Sequence, residues 1–312
     1  MMESLSQCPT ELVANSPFDV LGNRTRIEIL LALWAAHEPP AAREGISFSQ
    51  LYDNVDLDDT GNFSYHLEKL QGDFIEESGD GYVLTINGLR LVRAFITGEL
   101  ANNTVLDRTP IDECCPICRA NLSITYQKQQ LVARCDDCLG IHRSPDGEGI
   151  VFHCPLPPIS VTGRDPSVLF RQGVTYELQR IESFLRNVCP RCAGDVQLSV
   201  SGCSTHDTTT EQICMDCDRI NQVEVVGVCR HCKTFVRSPL TLAVLANPAV
   251  RVRLDADLSS EPFATWSSVH RAFEFDEWIE QTEPLHVGVQ IPAREGGMNV
   301  IVDESCTVVR IV

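Results

Sequence analysis

Apolar positions along the chain change their spacing three times. Between residues 16 and 97 the spacing is mostly helical. Ser16 and Pro17 suit the cap and first position of a helix, and Leu21, Ile27, Leu30, Leu31 and Trp34 give it an apolar face. A Pro- and Ala-rich linker runs from His37 to Gly45, and a short helix over about Ser49 to Asn54 follows. Phe63, Leu67 and Leu70 then fall at i, i+4 and i+7, one stripe of a second short helix that Asp58 or Asp59 can cap. The pattern switches to alternation at Phe74 to Ser78 and Tyr82 to Thr85, with the turn Gly79-Asp80-Gly81 between them. A last helix spans Asn87 to Thr97, with Leu89, Val92, Ala94 and Ile96 as candidates for burial.

Beyond a polar linker at Asn102 to Thr109, short alternating runs dominate and cysteines punctuate them. Leu122 to Tyr126 and Leu131 to Arg134 read as strands around a turn at Gln127 to Gln130. Pro155 to Pro158 is a linker, and Asp165-Pro166 opens a helix reaching about Asn187. Asp195 to Ser199, Thr208 to Ile213 and Asn221 to Val228 each read as one extended strand. A short helix runs from Pro239 to Ala246, and strands are expected at His286 to Ile291, Met298 to Val302 and Cys306 to Val312. No repeat of fixed period appears, although the Cys-rich module occurs twice in loose form. The fold class read from this order is α+β. Its parts are a disordered lead-in (1–15), a helical domain with a hairpin (16–101), a first Cys-rich ribbon (110–160), a connecting helix (161–187), a second Cys-rich β domain (188–238) and a strand-rich C-terminal region (239–312).

Two short helices joined by a tight turn form the helix-turn-helix layout, whose second helix enters the DNA major groove. Three stretches make the match specific: Leu21-Gly22-Asn23-Arg24-Thr25-Arg26-Ile27-Glu28-Ile29-Leu30, then Ser64-Tyr65-His66-Leu67-Glu68-Lys69-Leu70, then the hairpin. Together they resemble the ArsR-type winged helix-turn-helix over roughly Pro17 to Glu99. The Gly61-Asn62-Phe63 that precedes Tyr65-His66-Leu67 also resembles haloarchaeal regulators with Cys-rich C-terminal regions. The resemblance implies a regulator that binds double-stranded DNA as a homodimer through its terminal helices. On the second helix, Gly61, Asn62, Tyr65, Glu68 and Lys69 lie opposite the apolar stripe. Asn62 suits an adenine edge and Lys69 a phosphate or guanine. Ser64, at the flank, is placed to reach a phosphate. Tyr65 divides between groove contact and surface packing, and His66 is expected to be packed and hydrogen-bonded. Arg24 and Arg26 are candidate phosphate contacts, with a solvated face as the alternative. The hairpin tip carries no basic residue. Metal-sensing ArsR proteins often place cysteines on these helices; this chain has none there, so thiol sensing by this domain is not expected.

Charge complicates the DNA reading. The net charge is −18, and residues 1–100 carry six Lys/Arg against sixteen Asp/Glu, whereas a basic footprint is usual for a DNA binder. Only three lysines (Lys69, Lys128 and Lys233) stand against 22 arginines, a bias that fits a halophile. At molar salt the Debye length is about 3 Å. Repulsion then reaches little beyond contact, and the counterion-release drive is largely gone. Affinity would rest on direct contacts and shape. No apolar run approaches the roughly 18 residues of a membrane span, and the first sixteen residues do not read as a signal peptide. The expectation is a cytoplasmic protein whose cysteines stay reduced.

Five CxxC pairs then read as metal ligands: Cys115/Cys118, Cys135/Cys138, Cys189/Cys192, Cys214/Cys217 and Cys229/Cys232. Cys118 and Cys135 enclose sixteen residues, enough for a hairpin that returns one pair to the other as a zinc ribbon. Redox pairing and an iron site are the alternatives. The three later pairs need two more ligands, and Cys203 with His206 supplies them. If each intervening segment is one strand at about 3.3 Å per residue, neighbouring pairs lie roughly 16–26 Å apart and alternate pairs meet. That predicts one zinc on Cys189, Cys192, Cys214 and Cys217 and another on Cys203, His206, Cys229 and Cys232; a tight turn inside any strand would undo the pairing but not the ligand set. Two to three Zn²⁺ per chain are expected, with closed, structural coordination. Cys8, Cys114, Cys154 and Cys306 are left over. Cys114 and Cys154, with His142 or His153, form a weaker candidate sensing set.

The function expected from the sequence is a zinc-containing transcriptional regulator, with its C-terminal domains contacting a small-molecule effector or the transcription machinery. One alternative is a general transcription factor resembling archaeal TFE; another is a CxxC redox or electron-transfer protein. No nucleophile-base set, phosphate loop or open metal site points to an enzyme.

Overall fold

The computed structural model describes residues 20–37, 39, 45–57, 59–100, 104–144, 147–254, 265–266, 269–270, 273, 275–293 and 296–312. The lead-in (1–15), the Ser16-Pro17 start, Asp58 as a cap and most of the His37–Gly45 linker lie outside them. The chain divides into two compact units, 1–101 and 102–312. It is a mixed α+β protein with several small sheets.

In the first unit, local capping sets the helix starts. The Asn23 side chain accepts from the Arg26 amide to open α1 (Arg24–Ala35). Ser47 and Gln50 form a reciprocal capping box on α2 (Phe48–Asp53), and Asp59 caps α3 (Thr60–Leu70) through the Gly61 amide. The hairpin follows as β1 (Ile75–Ser78) and β2 (Gly81–Leu84), paired from Ile75↔Leu84 to Ser78↔Gly81. Thr85 caps α4 (Ile86–Ile96). Ile46 adds a bridge to Tyr82 at the hairpin's base. There a Cβ on Gly81 would stand 2.5 Å from the Gly45 carbonyl carbon, so the close approach of the two backbones requires glycine.

Phe63, Leu67 and Leu70 are buried as their spacing predicts, with Ile29, Leu30, Leu33, Leu51, Ile75 and Val92 beside them. The apolar face of α1 is turned from the expected one. Ile29, Leu30 and Leu33 are buried, whereas Leu31 is exposed. In so apolar a helix, periodicity alone leaves the rotation open, and packing against α3 and β2 selects it. On α4 Val92 is buried, but Ile86, Phe95 and Ile96 are exposed, as is Leu100 just beyond.

The second unit begins earlier than the sequence suggests. The expected linker at Asn102 to Thr109 contains the start of β3 (Leu106–Cys114), which pairs Leu106 with Tyr126. Its polar alternation belongs to an edge strand, where Pro110 is tolerated. The sheet order is β3-β4-β5-β8, with β4 (Asn121–Gln127), β5 (Gln130–Cys135) and β8 (Phe152–Pro155). A small hairpin, β6 (His142–Arg143) and β7 (Gly149–Ile150), precedes β8. Asp165 caps α5 (Pro166–Leu185), and Pro166 occupies its first turn. Leu169, Phe170, Val174, Leu178, Ile181 and Phe184 line its buried face, each such side chain contributing about 1.5–3 kcal/mol on burial.

The second sheet has order β11-β10-β9, with β9 (Val196–Gly202), β10 (Val223–Cys229) and β11 (Phe235–Ser238). Two short helices, α6 (Leu240–Ala246) and α7 (Pro248–Arg251), lead to a four-stranded meander: β12 (Glu277–Thr282), β13 (Leu285–Ala293), β14 (Gly296–Asp303) and β15 (Val308–Ile311). The sequence pattern missed β12, whose residues are mostly polar. The second sheet belongs to two cores. Val196, Cys229 and Val236 pack with the first ribbon and α5, while Val200, Val223 and Val225 pack with α6, α7 and the meander. The Cys-rich regions are therefore parts of one unit.

One buried carboxyl gives this unit a pH dependence. Glu277 Oε1 lies 3.4 Å from the Thr241 hydroxyl, and Oε2 is buried with no hydrogen-bond partner. Burial, opposed by hydrogen bonds from Asn221 and Thr241, raises the carboxyl pKa to about 7. The folded value lies above the unfolded value of about 4.3, so the protonated fold is favoured. The contribution is complete below that unfolded value and is lost as pH rises towards about 7. The loss amounts to at most about 4 kcal/mol. Glu277→Gln should flatten the change in urea midpoint between acidic and alkaline buffer; an unaltered profile would assign the dependence elsewhere.

Candidate metal centres and exposed helix face

Three groups of four ligand atoms converge in the second unit, each group within 4.8 Å: Cys115/Cys118/Cys135/Cys138, Cys189/Cys192/Cys229/Cys232 and Cys203/His206/Cys214/Cys217. All twelve residues expected as ligands are in these groups. In the first, Cys115 Sγ is 3.6 Å from Cys138 and Cys118 Sγ is 3.4 Å from Cys135. In the second, Cys189 to Cys232 is 3.6 Å and Cys192 to Cys229 is 3.5 Å. In the third, Cys217 Sγ is 3.5 Å from His206 Nδ1. A disulfide would need about 2.05 Å. Bonds of about 2.3 Å to one tetrahedral zinc put sulfurs about 3.8 Å apart. The described cysteines are free thiols, and the three groups fit a four-coordinate metal such as zinc.

The pairing in the second region differs from the expectation. The segment expected as a strand at Thr208 to Ile213 is irregular, and β9 pairs directly with β10, Val196 against Cys229 and Gly202 against Val223. An antiparallel hairpin brings the outer ends of its strands together. Cys189/Cys192, before β9, therefore meet Cys229/Cys232, at and just beyond the end of β10. At the other end, the connection from Cys203 to Gln222 folds on itself, so Cys203/His206 meet Cys214/Cys217. The Cys203 amide donates to the Gln222 carbonyl at 3.0 Å and closes that loop.

Four of the five CxxC turns share one backbone device. The amides of Cys115, Cys189, Cys214 and Cys229 each donate to the carbonyl five residues on (Ala120, Gly194, Arg219 and Thr234), at 2.8–3.1 Å. The residue after the second cysteine takes positive φ each time: Arg119 67°, Ala193 57°, Asp218 54° and Lys233 61°. A non-glycine there costs about 1–2 kcal/mol. A structural zinc supplies apparent binding energies of about 10–16 kcal/mol in small peptides, which outweighs four such turns. The Cys135 turn instead has the left-handed residue one position later, at Gly140.

Polar groups missed by the sequence reading support the thiolates. The Thr234 hydroxyl lies 3.1 Å from Cys232 Sγ and, with the Thr234 amide, brings that thiol down to about 6. The Asp207 amide donates to Cys214 Sγ at 3.5 Å and is the leading cause of a fall to about 7. The Cys114, Cys154, His142 and His153 set does not converge with these groups. On β8, Cys154 is buried in the core and His153 faces the opposite side. The Cys114 carbonyl accepts from Trp266 Nε1 at 2.9 Å.

In the first unit, Gly61, Asn62, Tyr65, Glu68 and Lys69 are exposed along α3, opposite its buried stripe. Lys69 Nζ sits 5.6 Å from the Tyr65 ring centroid, and the Ser64 hydroxyl donates to the Thr60 carbonyl. His66 is buried, and burial followed by Arg26 lowers its pKa. Arg26 does not present its guanidinium as a surface phosphate contact would require; it donates to the Val20 carbonyl at 2.6 Å and to His66 Nδ1 at 3.3 Å. Arg24 is exposed and paired with Glu28 at 2.7 Å.

The metal pairing is directly testable. In Cys192→Ser/Cys229→Ser both substitutions fall on one centre, so elemental analysis should show the loss of one metal per chain. Cys192→Ser/Cys214→Ser should lose two. The alternate-pair arrangement requires the reverse.

No helix among the described residues is long and apolar enough to cross a membrane. Comparison with protein families finds two matches: a domain of unknown function (DUF7347) over residues 14–95 and a domain of unknown function (DUF7351) over residues 112–308. No curated protein and no solved structure matches the chain. The second match holds all three ligand groups and covers more than half of the chain, which thus belongs to the DUF7351 family.

Proposed function

We propose that this protein is a DNA-binding transcriptional regulator of the ArsR-like winged helix-turn-helix type, stabilised by three structural zinc ions. The observation that carries the reading is the two-sided character of α3. Its stripe of Phe63, Leu67 and Leu70 is buried, while Asn62, Tyr65 and Lys69 stand exposed beside a two-stranded hairpin. In this reading α3 enters the major groove, Asn62 reads a base edge, and Lys69 and Arg24 approach phosphates. Gly61 lets the start of the helix come close to the backbone. Arg26 and His66 brace α1 against α3 and so set the angle at which α3 is presented. The exposed Ile86, Phe95, Ile96 and Leu100 support a homodimer formed through α4.

The zinc ions would be structural because four protein ligands fill the coordination shell and leave no position for water or substrate. Free thiols in the described cysteines, together with ligand spacing unlike a disulfide, support metal binding over a redox role and fit a reducing cytoplasmic setting. The second unit would then carry the contact with an effector or with the transcription machinery.

Genome-wide crosslinking and immunoprecipitation of the tagged protein in its own cells tests the reading, with wild type run beside Asn62→Ala/Lys69→Ala. A few sharp, two-fold-symmetric sites that vanish in the variant are the expected result. Signal at nearly every promoter would instead support a general factor, and no enrichment would remove DNA binding altogether.

A further inference from the structure

The second unit contains a cavity of about 1060 Å³ that the metal centres do not use. Five elements and a loop wall it. From β6 and β8 come His142, Arg143 and His153; α5 contributes Glu177, Arg180 and Ile181; β11 contributes Phe235 and Arg237; the loop after Cys217 contributes Arg219, and β10 contributes Glu224. Cys217 and Cys232 belong to different metal groups, and both border it. Two of the proposed zinc ions thereby clamp its walls.

The charge in this cavity opposes that of the molecule. Its lining includes Arg143, Arg180, Arg191, Arg219, Lys233 and Arg237 but only Glu177, Asp218 and Glu224 as acids, in a chain of net charge −18. Nearly a quarter of the chain's 25 basic residues therefore border one space. Arg143 is also paired with Glu211 from outside the lining, 3.1 Å away, but the lining acids are half as many as the bases. Glu224 alone holds two guanidiniums, Arg219 at 2.7 Å and Arg237 at 2.8 Å, so that trio stays positive. Arg180 pairs with Glu177, and its Nη2 also donates to the Phe235 carbonyl at 3.3 Å, which fixes the head group at the wall. The two histidines meet edge to face, their rings 5.4 Å apart. Burial first, then His153 and Arg237, brings His142 down to about 4. His153 is lowered by burial, then by Arg237 and Arg180. The rings offer neutral hydrogen-bonding groups, and the cavity's charge comes from the guanidiniums. Phe152, Ile181, Phe235, Val236, Leu242 and Phe273 are among the apolar residues of the lining.

We propose that this cavity binds a small organic anion, a carboxylate or phosphate ester carried on an apolar body. Guanidiniums held by neighbouring carboxylates suit planar anion recognition, because the fork is already oriented and little entropy remains to be lost. The apolar walls suit the rest of the ligand, and the volume is that of a metabolite site. Phe235 and Arg237, two residues apart on β11, share one face of the strand and would contact the body and the charge respectively. Binding is a property of residues 102–312 alone; the further step, that the ligand is the effector of a DNA-binding protein, rests on the function proposed above.

Calorimetric titration of the metal-loaded full-length chain, without DNA, tests the site with three probes: 1-naphthyl phosphate, 1-naphthoate and neutral 1-naphthol. One anion site per chain is expected, at least about ten-fold tighter than for naphthol, as befits a charge-assisted contact. Tight binding of both anions would assign the shared chemistry, and of one alone would assign phosphate ester or carboxylate. Arg237→Gln should weaken the anions at least about five-fold and leave naphthol unchanged. Phe235→Ala should weaken all three probes. Both side chains are largely exposed, and wild-type metal content would verify that each variant is folded. Equal affinity for naphthol and the anions, no anion binding, or anion binding untouched by Arg237→Gln would overturn the site. None of these outcomes depends on whether the protein binds DNA.

Discussion

Convergence of four ligand atoms on a point is the constraint from which the larger unit follows. A cysteine thiolate reaches a metal only if its backbone turn is held close, and four must be held at once. The chain does this with a repeated turn, an amide donating five residues forward and a left-handed residue after the second cysteine. It then uses antiparallel hairpins to bring one turn to another. The sulfurs meet because β4 pairs with β5 and β9 pairs with β10. Each ligand group therefore reports the strand topology around it.

The same hairpins bind the modules into one unit. The second sheet has no core of its own. Val196 and Val236 lie against α5 and the first ribbon, while Val200 and Val225 lie against α6 and the C-terminal meander. A ribbon or meander of this size buries too little apolar surface to stand alone; shared burial offsets this, and metal coordination would add to it in the function proposed above. The cavity lies where these parts adjoin, so its shape depends on the cores and on two of the metal groups.

The smaller unit obeys a different economy. It carries no cysteine among its described residues, and short, well-capped helices pack around Phe63, Leu67 and Leu70. Its polar pairs divide into inward and outward sets. Arg26 and His66 are spent on holding α1 and α3, whereas Asn62, Tyr65 and Lys69 are left to solvent. Burial thus separates the side chains that position α3 from those that it presents.

The sequence by itself determined what local chemistry can specify. Helical spacing placed α3, the change to alternation placed the β1–β2 hairpin, and Asp165-Pro166 placed the start of α5. CxxC spacing, with Cys203 and His206, picked out all twelve residues that the three groups bring together. Tertiary structure alone decided what depends on residues far apart in the chain. The rotation of α1 came from its packing, since nearly every face of that helix is apolar. The partner of Cys189 and Cys192 turned on whether residues 208–213 were extended, and β-propensity there does not distinguish a strand from a folded loop. Arg143, Arg180, Arg219 and Arg237 are unremarkable surface residues when read in line. They become the lining of one cavity only after two sheets and a helix have been packed together, because charge acts through space and not along the chain.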